Sequence, residues 1–129
     1  MNNILVDSSV WIDYFAGKPE VLILDKLIDK NLICINDLIL SELVPFLKHK
    51  KQNKIIELLY SIKNIPLMIS WDRIINYQYI NLKNGINKVG IPDLIIIQNI
   101  IDNDLELLTT DKHFSLIRNN INFSLYKFD

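Results

Sequence analysis

Four acidic side chains stand out by position as well as type: Asp7, Glu42, Asp93 and Asp111. Asp7 directly follows the apolar run Ile4-Leu5-Val6, Glu42 interrupts the apolar stretch 38–47, Asp93 follows Gly90-Ile91-Pro92, and Asp111 comes just after Leu107-Leu108-Thr109. Carboxylates brought together repel one another and take up protons near neutral pH unless a cation neutralises them. Convergence of the four therefore implies a hard divalent ion, Mg²⁺ or Mn²⁺, held by oxygen. Taken singly, each has a plainer reading. Asp7 and Asp111 suit helix N-caps, and Asp93 beside Pro92 is what the first helical turn favours. Glu42 is harder to set aside, because an unpaired carboxylate on an apolar stretch is costly to desolvate, although a salt bridge to a lysine would also hold it.

The elements that must position these acids follow from periodicity. Short apolar runs at 4–6, 32–35, 66–69 and 105–109, with a fifth at 123–128, read as buried parallel strands. Apolar residues at three and four spacing mark helices over 8–16, 19–29, 37–47, 51–62, 71–83, 92–103 and 112–118. Strands alternating with helices or helix pairs imply right-handed crossovers and an α/β fold of three layers, a central parallel sheet of four to five strands with helices on both faces. The carboxyl ends of such strands share one edge, where the ligand crevice also lies, so the acids that follow them can meet there. Helix 37–47 is apolar around nearly its whole circumference, and Pro45 is expected to kink it. That surplus is covered either by a small domain wrapping the helix or by a partner.

The chain has 129 residues, 14 basic against 15 acidic side chains and one cysteine, with no linker, repeat or low-complexity block, which predicts one domain over 1–129. Cys34, His49 and His113 cannot supply the ligands of a structural zinc site. No apolar run is long enough for a membrane span and the opening lacks the pattern of a signal peptide, so no membrane association and a cytoplasmic location are expected. A formal net charge of −1 gives no global positive field, so contact with a polyanion must come from local clusters. The candidates are Lys18, the lysines between 48 and 54, Lys83, Lys88 and Lys112, of which Lys112, beside Asp111, is best placed to meet a phosphate. Trp11, Tyr14, Phe15, Trp71 and Tyr77 lie at helical spacing and read as core or interface. His113 reads as an exposed helix residue.

The order of the motifs adds a resemblance. The opening Ile4-Leu5-Val6-Asp7-Ser8-Ser9-Val10-Trp11-Ile12-Asp13-Tyr14-Phe15 resembles the start of PIN-domain ribonucleases, specifically VapC-type toxins of toxin–antitoxin pairs. Ser41-Glu42-Leu43, Ile91-Pro92-Asp93-Leu94-Ile95-Ile96 and Leu107-Leu108-Thr109-Thr110-Asp111-Lys112-His113-Phe114 resemble the second, third and fourth motifs in order. Ser8 stands where the family often has Thr, and Ile96, Ile97 and Gln98 stand where it commonly has small alanines. The resemblance implies a PIN-like fold and a pocket in which Asp7, Glu42, Asp93 and Asp111 hold Mg²⁺ or Mn²⁺. Asp7 and Asp93 would be direct ligands, with Glu42 and Asp111 acting through water or at a second metal position. It implies hydrolysis of RNA by metal-activated water, leaving 5′-phosphate and 3′-hydroxyl ends. Ser9 and Thr109 would be hydroxyls that orient the acids or touch phosphate, with Lys112 a phosphate contact. A cognate antitoxin covering the acidic groove, and a homodimer formed through the apolar helices after the second strand, complete the expectation.

Two readings from other classes remain at this stage. A receiver-like phosphoacceptor module also gathers Mg²⁺-binding acids at strand ends. It needs paired acids after the first strand, an Asp ending the third and a Lys ending the last, whereas Asp7 stands alone before Ser8 and nothing acidic lies between Pro66 and Trp71. In a non-catalytic interaction module the four acids would only cap helices.

Overall fold

A computed structural model describes residues 3–127. Five strands, β1 (Ile4–Val6), β2 (Ile33–Ile35), β3 (Lys63–Asn64), β4 (Glu106–Leu108) and β5 (Ser124–Leu125), form one sheet in the order β3-β2-β1-β4-β5, and every pairing is parallel. Leu5 on the central strand lies opposite Cys34 on one side and Leu107 on the other, and all three are fully buried. Both faces of a parallel sheet are covered, which is why the inner strands read as continuous apolar runs with no alternation.

From β1 the chain moves outward through α1 (Ser8–Phe15), a 3-10 turn (Pro19–Val21) and α2 (Ile23–Asp29) to β2, then through α3 (Asp37–His49) and α4 (Asn53–Ser61) to β3. It returns through α5 (Trp71–Lys83) and α6 (Ile91–Asp102) to β4 beside β1, and α7 (His113–Ile117) leads to β5. Right-handed crossovers put elements connecting opposite directions on opposite faces. The contacts agree, α1 packing on α3 and α5 on α6. The direction reverses between β1 and β4, so the crevice of the fold lies at their carboxyl ends.

The strand expected at 66–69 is displaced to Lys63–Asn64, and the reason is local. Pro66 has no N–H for a ladder. The last backbone bond to β2 is Ile65 N–H donating to Ile35 O at 2.8 Å. Beyond it two buried amides of α6 replace the ladder: Asn99 Nδ2 donates to Pro66 O at 3.0 Å, Gln98 Nε2 to Met68 O at 2.6 Å, and Ser70 N–H donates to Gln98 Oε1 at 2.9 Å. The single helix expected at 19–29 is a 3-10 turn followed by α2. The fifth strand is shorter than 123–128, and Phe128 lies outside the described residues.

Helix α3 runs on through Pro45 to His49. It starts at a true cap, Asn36, whose Oδ1 accepts from Ile39 N–H at 2.9 Å. Its apolar surplus is mostly wrapped by the domain itself: Ile39, Leu40, Leu43 and Leu47 are buried, while Phe46 stays 62% exposed. A longer uncovered stripe lies on α5, where Trp71, Ile75, Tyr79 and Leu82 are exposed at three and four spacing. Trp11 and Tyr77, by contrast, belong to the core.

Candidate functional site

Asp7 is the N-cap residue of α1, but its carboxylate makes no capping bond. The side chain is 5% exposed and Oδ2 accepts two hydroxyls, Ser9 Oγ at 2.8 Å and Thr109 Oγ1 at 2.9 Å. Those hydroxyls come from the first turn of α1 and the end of β4, so one buried carboxylate ties together the two strands that flank the crevice. The backbone repeats the link, Asp7 N–H donating to Leu108 O at 2.9 Å. Thr109 Oγ1 also accepts from Asp111 N–H at 3.0 Å.

Asp111 is not the N-cap of α7, a place taken by Lys112. Its Oδ1 accepts His113 N–H and contacts His113 Nδ1, both at 2.9 Å. His113 is therefore half-buried against an acid instead of lying free on a helix surface. Lys112 is exposed, one residue away. Asp93 sits in the first turn of α6, which begins one residue earlier than periodicity indicates, at Ile91 with Pro92 next. Among the described residues its carboxylate has no hydrogen-bond partner. Glu42, on α3, is more open than its apolar neighbours in sequence imply.

The electrostatics join these four residues from four separate places in the chain. Burial pushes Asp93 up to about 6, helped by the negative charges of Asp111, Asp7 and Glu42 and opposed by His113. Burial and the charge of Asp7 raise Glu42 as well, with the Ser8 hydroxyl working the other way. Desolvation and like-charge repulsion both disfavour the ionised form, and both fall on Asp93 and Glu42.

Among the described residues no three His, Cys, Asp or Glu side chains stand as a finished ligand set for a metal ion. The donors are all carboxylate and hydroxyl oxygens, and the repulsion borne by Asp93 is what a divalent cation removes, so the residues fit a hard ion such as Mg²⁺ or Mn²⁺.

Two cavities lie nearby. An apolar cleft of about 260 Å³, lined by Ile12, Phe15, Leu43, Phe46 and Leu47, reaches Glu42. A second, of about 400 Å³, lies between 66–69 and α6, but its polar lining is already spent on protein bonds: Gln98 and Asn99 hold the 66–70 segment, and Asn99 Oδ1 accepts Asn36 Nδ2 at 3.0 Å. In the sequence Gln98 stood out only as a departure from the small alanines of the resemblance, and Asn36 and Asn99 carried no signal.

A profile of the family described as PIN domain matches residues 4–120. A search of curated protein sequences finds no significant match. Among solved structures, VapBC2 from Rickettsia felis bound to a DNA fragment from its promoter contains a similar chain, with 18% identity, TM-score 0.75 and 98% of each chain covered. DNA-bound VapBC from Salmonella typhimurium gives 14% identity and a TM-score of 0.78 over 100% of both chains. A toxin-antitoxin complex from Klebsiella pneumoniae gives 21% identity and 0.61, covering 84% of this chain and 87% of that one.

Proposed function

The chain belongs to the PIN domain family, and on that premise we propose that it is a divalent-metal-dependent endoribonuclease of the VapC toxin type, acting as one nuclease domain over residues 1–129 in the cytoplasm. PIN domains are generally nucleases. The observation that carries the reading is the convergence of Asp7, Glu42 and Asp111 on Asp93 at the switch point of a parallel sheet, where burial first and then their negative charges raise its carboxyl to about 6. The capping alternative loses force because the Asp7 carboxylate caps nothing. The receiver-like alternative lacks its paired acids after β1 and its acid after β3.

In this reading Asp7 and Asp93 hold Mg²⁺ or Mn²⁺ directly, with Glu42 and Asp111 acting through water or at a second ion. When bound, the ion lowers the pKa of a water and offsets the charge that develops on a phosphodiester. The protein's share is positioning. Ser9 and Thr109 fix the Asp7 carboxylate by its Oδ2, and His113 fixes Asp111. Lys112 meets a phosphate of the RNA. No helix among the described residues is long and apolar enough to cross a membrane.

The similar chains from Rickettsia felis, Salmonella typhimurium and Klebsiella pneumoniae come from VapBC or toxin-antitoxin complexes, which supports a cognate antitoxin for this chain too. The apolar cleft of Ile12, Phe15 and Phe46 suits an apolar segment of such a partner, which would cover Glu42. A homodimer through α3 and α4 would use the exposed Phe46 and Tyr60, and a purely monomeric mass at high concentration would remove it.

The deciding experiment is cleavage of total RNA by the purified protein with Mg²⁺, with EDTA, and with Asp7→Asn and Asp93→Asn variants checked for folding by circular dichroism. Metal-dependent cuts that both variants abolish support the reading. A folded protein that binds Mg²⁺ and leaves every RNA intact argues for the phosphoacceptor class, and one that binds no metal argues for capping alone.

A further inference from the structure

Asp111 lines a second space, an open groove of about 570 Å³. Its walls come from the turn 109–112, from α7 and its end through Ser115 and Arg118, and from β5 and the residues after it, Leu125, Tyr126 and Lys127. Three cations, Lys112, Arg118 and Lys127, thus face one groove with Asp111 its only acid, in a chain whose formal net charge is −1. Among the described residues the ion pairs are Lys18 with Asp13, Arg73 with Asp102 and His113 with Asp111, so none of the groove cations is neutralised by an acid. Arg118 is also aimed: its Nε donates to Phe123 O at 2.8 Å, which anchors the guanidinium and leaves its terminal nitrogens to other partners. Thr110 and Ser115 add hydroxyls, and Tyr126 adds a half-buried ring.

We propose that this groove is the track of the substrate, taking the sugar–phosphate backbone of a single-stranded RNA segment next to the scissile bond. It rests on the ribonuclease reading above and names the form of RNA and the residues that hold it. A polyanion is the partner that several unpaired cations on one wall select. A single strand is selected because the ring of Tyr126 can stack only on a base that is not already paired and stacked. Continuity with Asp111 gives the track its direction, since backbone held over Lys112 and Arg118 delivers its next phosphate to the acids. Three cations thus stand where the strand leaves the acidic pocket, and the lysines between 48 and 54, around the α3–α4 turn, line no part of that groove.

The test measures binding of a fluorescein-labelled, mixed-sequence single-stranded RNA of sixteen nucleotides to the full chain in EDTA, by anisotropy over a range of NaCl concentrations. Lys112→Gln/Lys127→Gln removes two contacts without disturbing a described hydrogen bond of either side chain. It should lower the slope of log Kd against log salt by about 1.4, at ~0.7 per phosphate contact on a single strand. Arg118→Gln should lower it by a further ~0.7. Arg118→Lys, which keeps the charge but loses the bond to Phe123, should restore most of that slope, as a purely structural role would not. Lys48→Gln/Lys50→Gln should leave the slope unchanged. With Mg²⁺, the groove variants should raise KM for RNA cleavage and leave kcat nearly as it was. An unchanged slope and KM in Lys112→Gln/Lys127→Gln, in a protein that still cleaves RNA, overturns the groove alone, as does equal binding of a fully paired duplex. A parent chain that neither binds the probe nor cleaves any RNA overturns the ribonuclease reading with it.

Discussion

Replacing Asp93 by Asn should make the metal-free protein more stable while making it inactive, a sign opposite to that of most substitutions in a packed domain. The Asp93 carboxyl rises from 3.8 to about 6, which at ~1.36 kcal/mol per pH unit corresponds to about 3 kcal/mol against the ionised folded form. The side chain is partly open to water, so screening reduces this to about half. Asparagine also gives up the attraction of a carboxylate for the start of α6, about 0.5 kcal/mol. A net gain of about 1 kcal/mol is expected at alkaline pH. Because the folded pKa lies above the unfolded one, wild-type Asp93 loses stability as pH rises from 3.8 through about 6. The advantage of the variant should therefore be absent below that window and complete above it. Saturating Mg²⁺ should reverse the order, since a ligand at a hundred times its Kd contributes about 2.7 kcal/mol to the form that binds it. Urea unfolding followed by circular dichroism, in EDTA and in Mg²⁺ on both sides of the window, reads all three. A variant less stable than wild type in EDTA at alkaline pH, or an advantage independent of pH, would refute the claim that burial and the neighbouring acids' charges hold the ionised form of Asp93 at a disadvantage.

Other outcomes follow from contacts already described. Asn99→Ala strands Asn36 Nδ2 and Pro66 O, both hydrogen-bonded to it, and should cost about 3 kcal/mol in urea unfolding. Thr109→Val keeps the shape but removes the hydroxyl that holds Asp7. Activity should fall about 10- to 100-fold, with a stability loss of about 1 kcal/mol, and equal kcat/KM would show that Asp7 needs no such support. Lys51 ends α3 with φ of 57°, and the bond from Gln52 N–H to Leu47 O at 2.9 Å closes the helix around it. Lys51→Gly should raise stability by about 0.5 kcal/mol, the relief of the left-handed backbone exceeding the added freedom of the unfolded chain; a lower Tm would contradict it.

The parallel layout and the acids' places were legible because they follow from coarse periodicity, the inner strands being apolar throughout and the helices carrying amphipathic spacing. What escaped was set by side chains reaching across the chain. The run 66–69 is as apolar as a strand, but Pro66 ends the ladder and Gln98 and Asn99, about 30 residues later in sequence, supply the bonds instead. Pro66 marks the stop locally, but nothing at 66–69 encodes the amides that replace the ladder. Glu42 was read from its apolar neighbours in sequence, whereas its exposure depends on which way α3 faces. His113 was read as free because the Asx-type turn that folds Asp111 back onto it depends on the chain leaving β4 at one particular angle. The groove cations were only partly visible: Lys112 adjoins a motif, whereas Arg118 and Lys127 become its neighbours through the β4–β5 pairing.

The bond between Thr109 and Asp7 spans 102 positions of sequence, and it bears on when the acidic pocket can be complete during synthesis. Chains emerge from the ribosome at ~5–20 residues per second and fold from the N-terminal side as they do so. Strands β1 and β2, with the helices between them, can assemble early. The central strand keeps one bare edge until β4 arrives, and until then Asp7 lacks one of its two hydroxyls and Asp111 does not yet exist beside it. A partial chain on the ribosome therefore lacks the finished pocket. The pocket closes late in synthesis, and on the proposed toxin reading that interval is time in which an antitoxin made beforehand can be waiting.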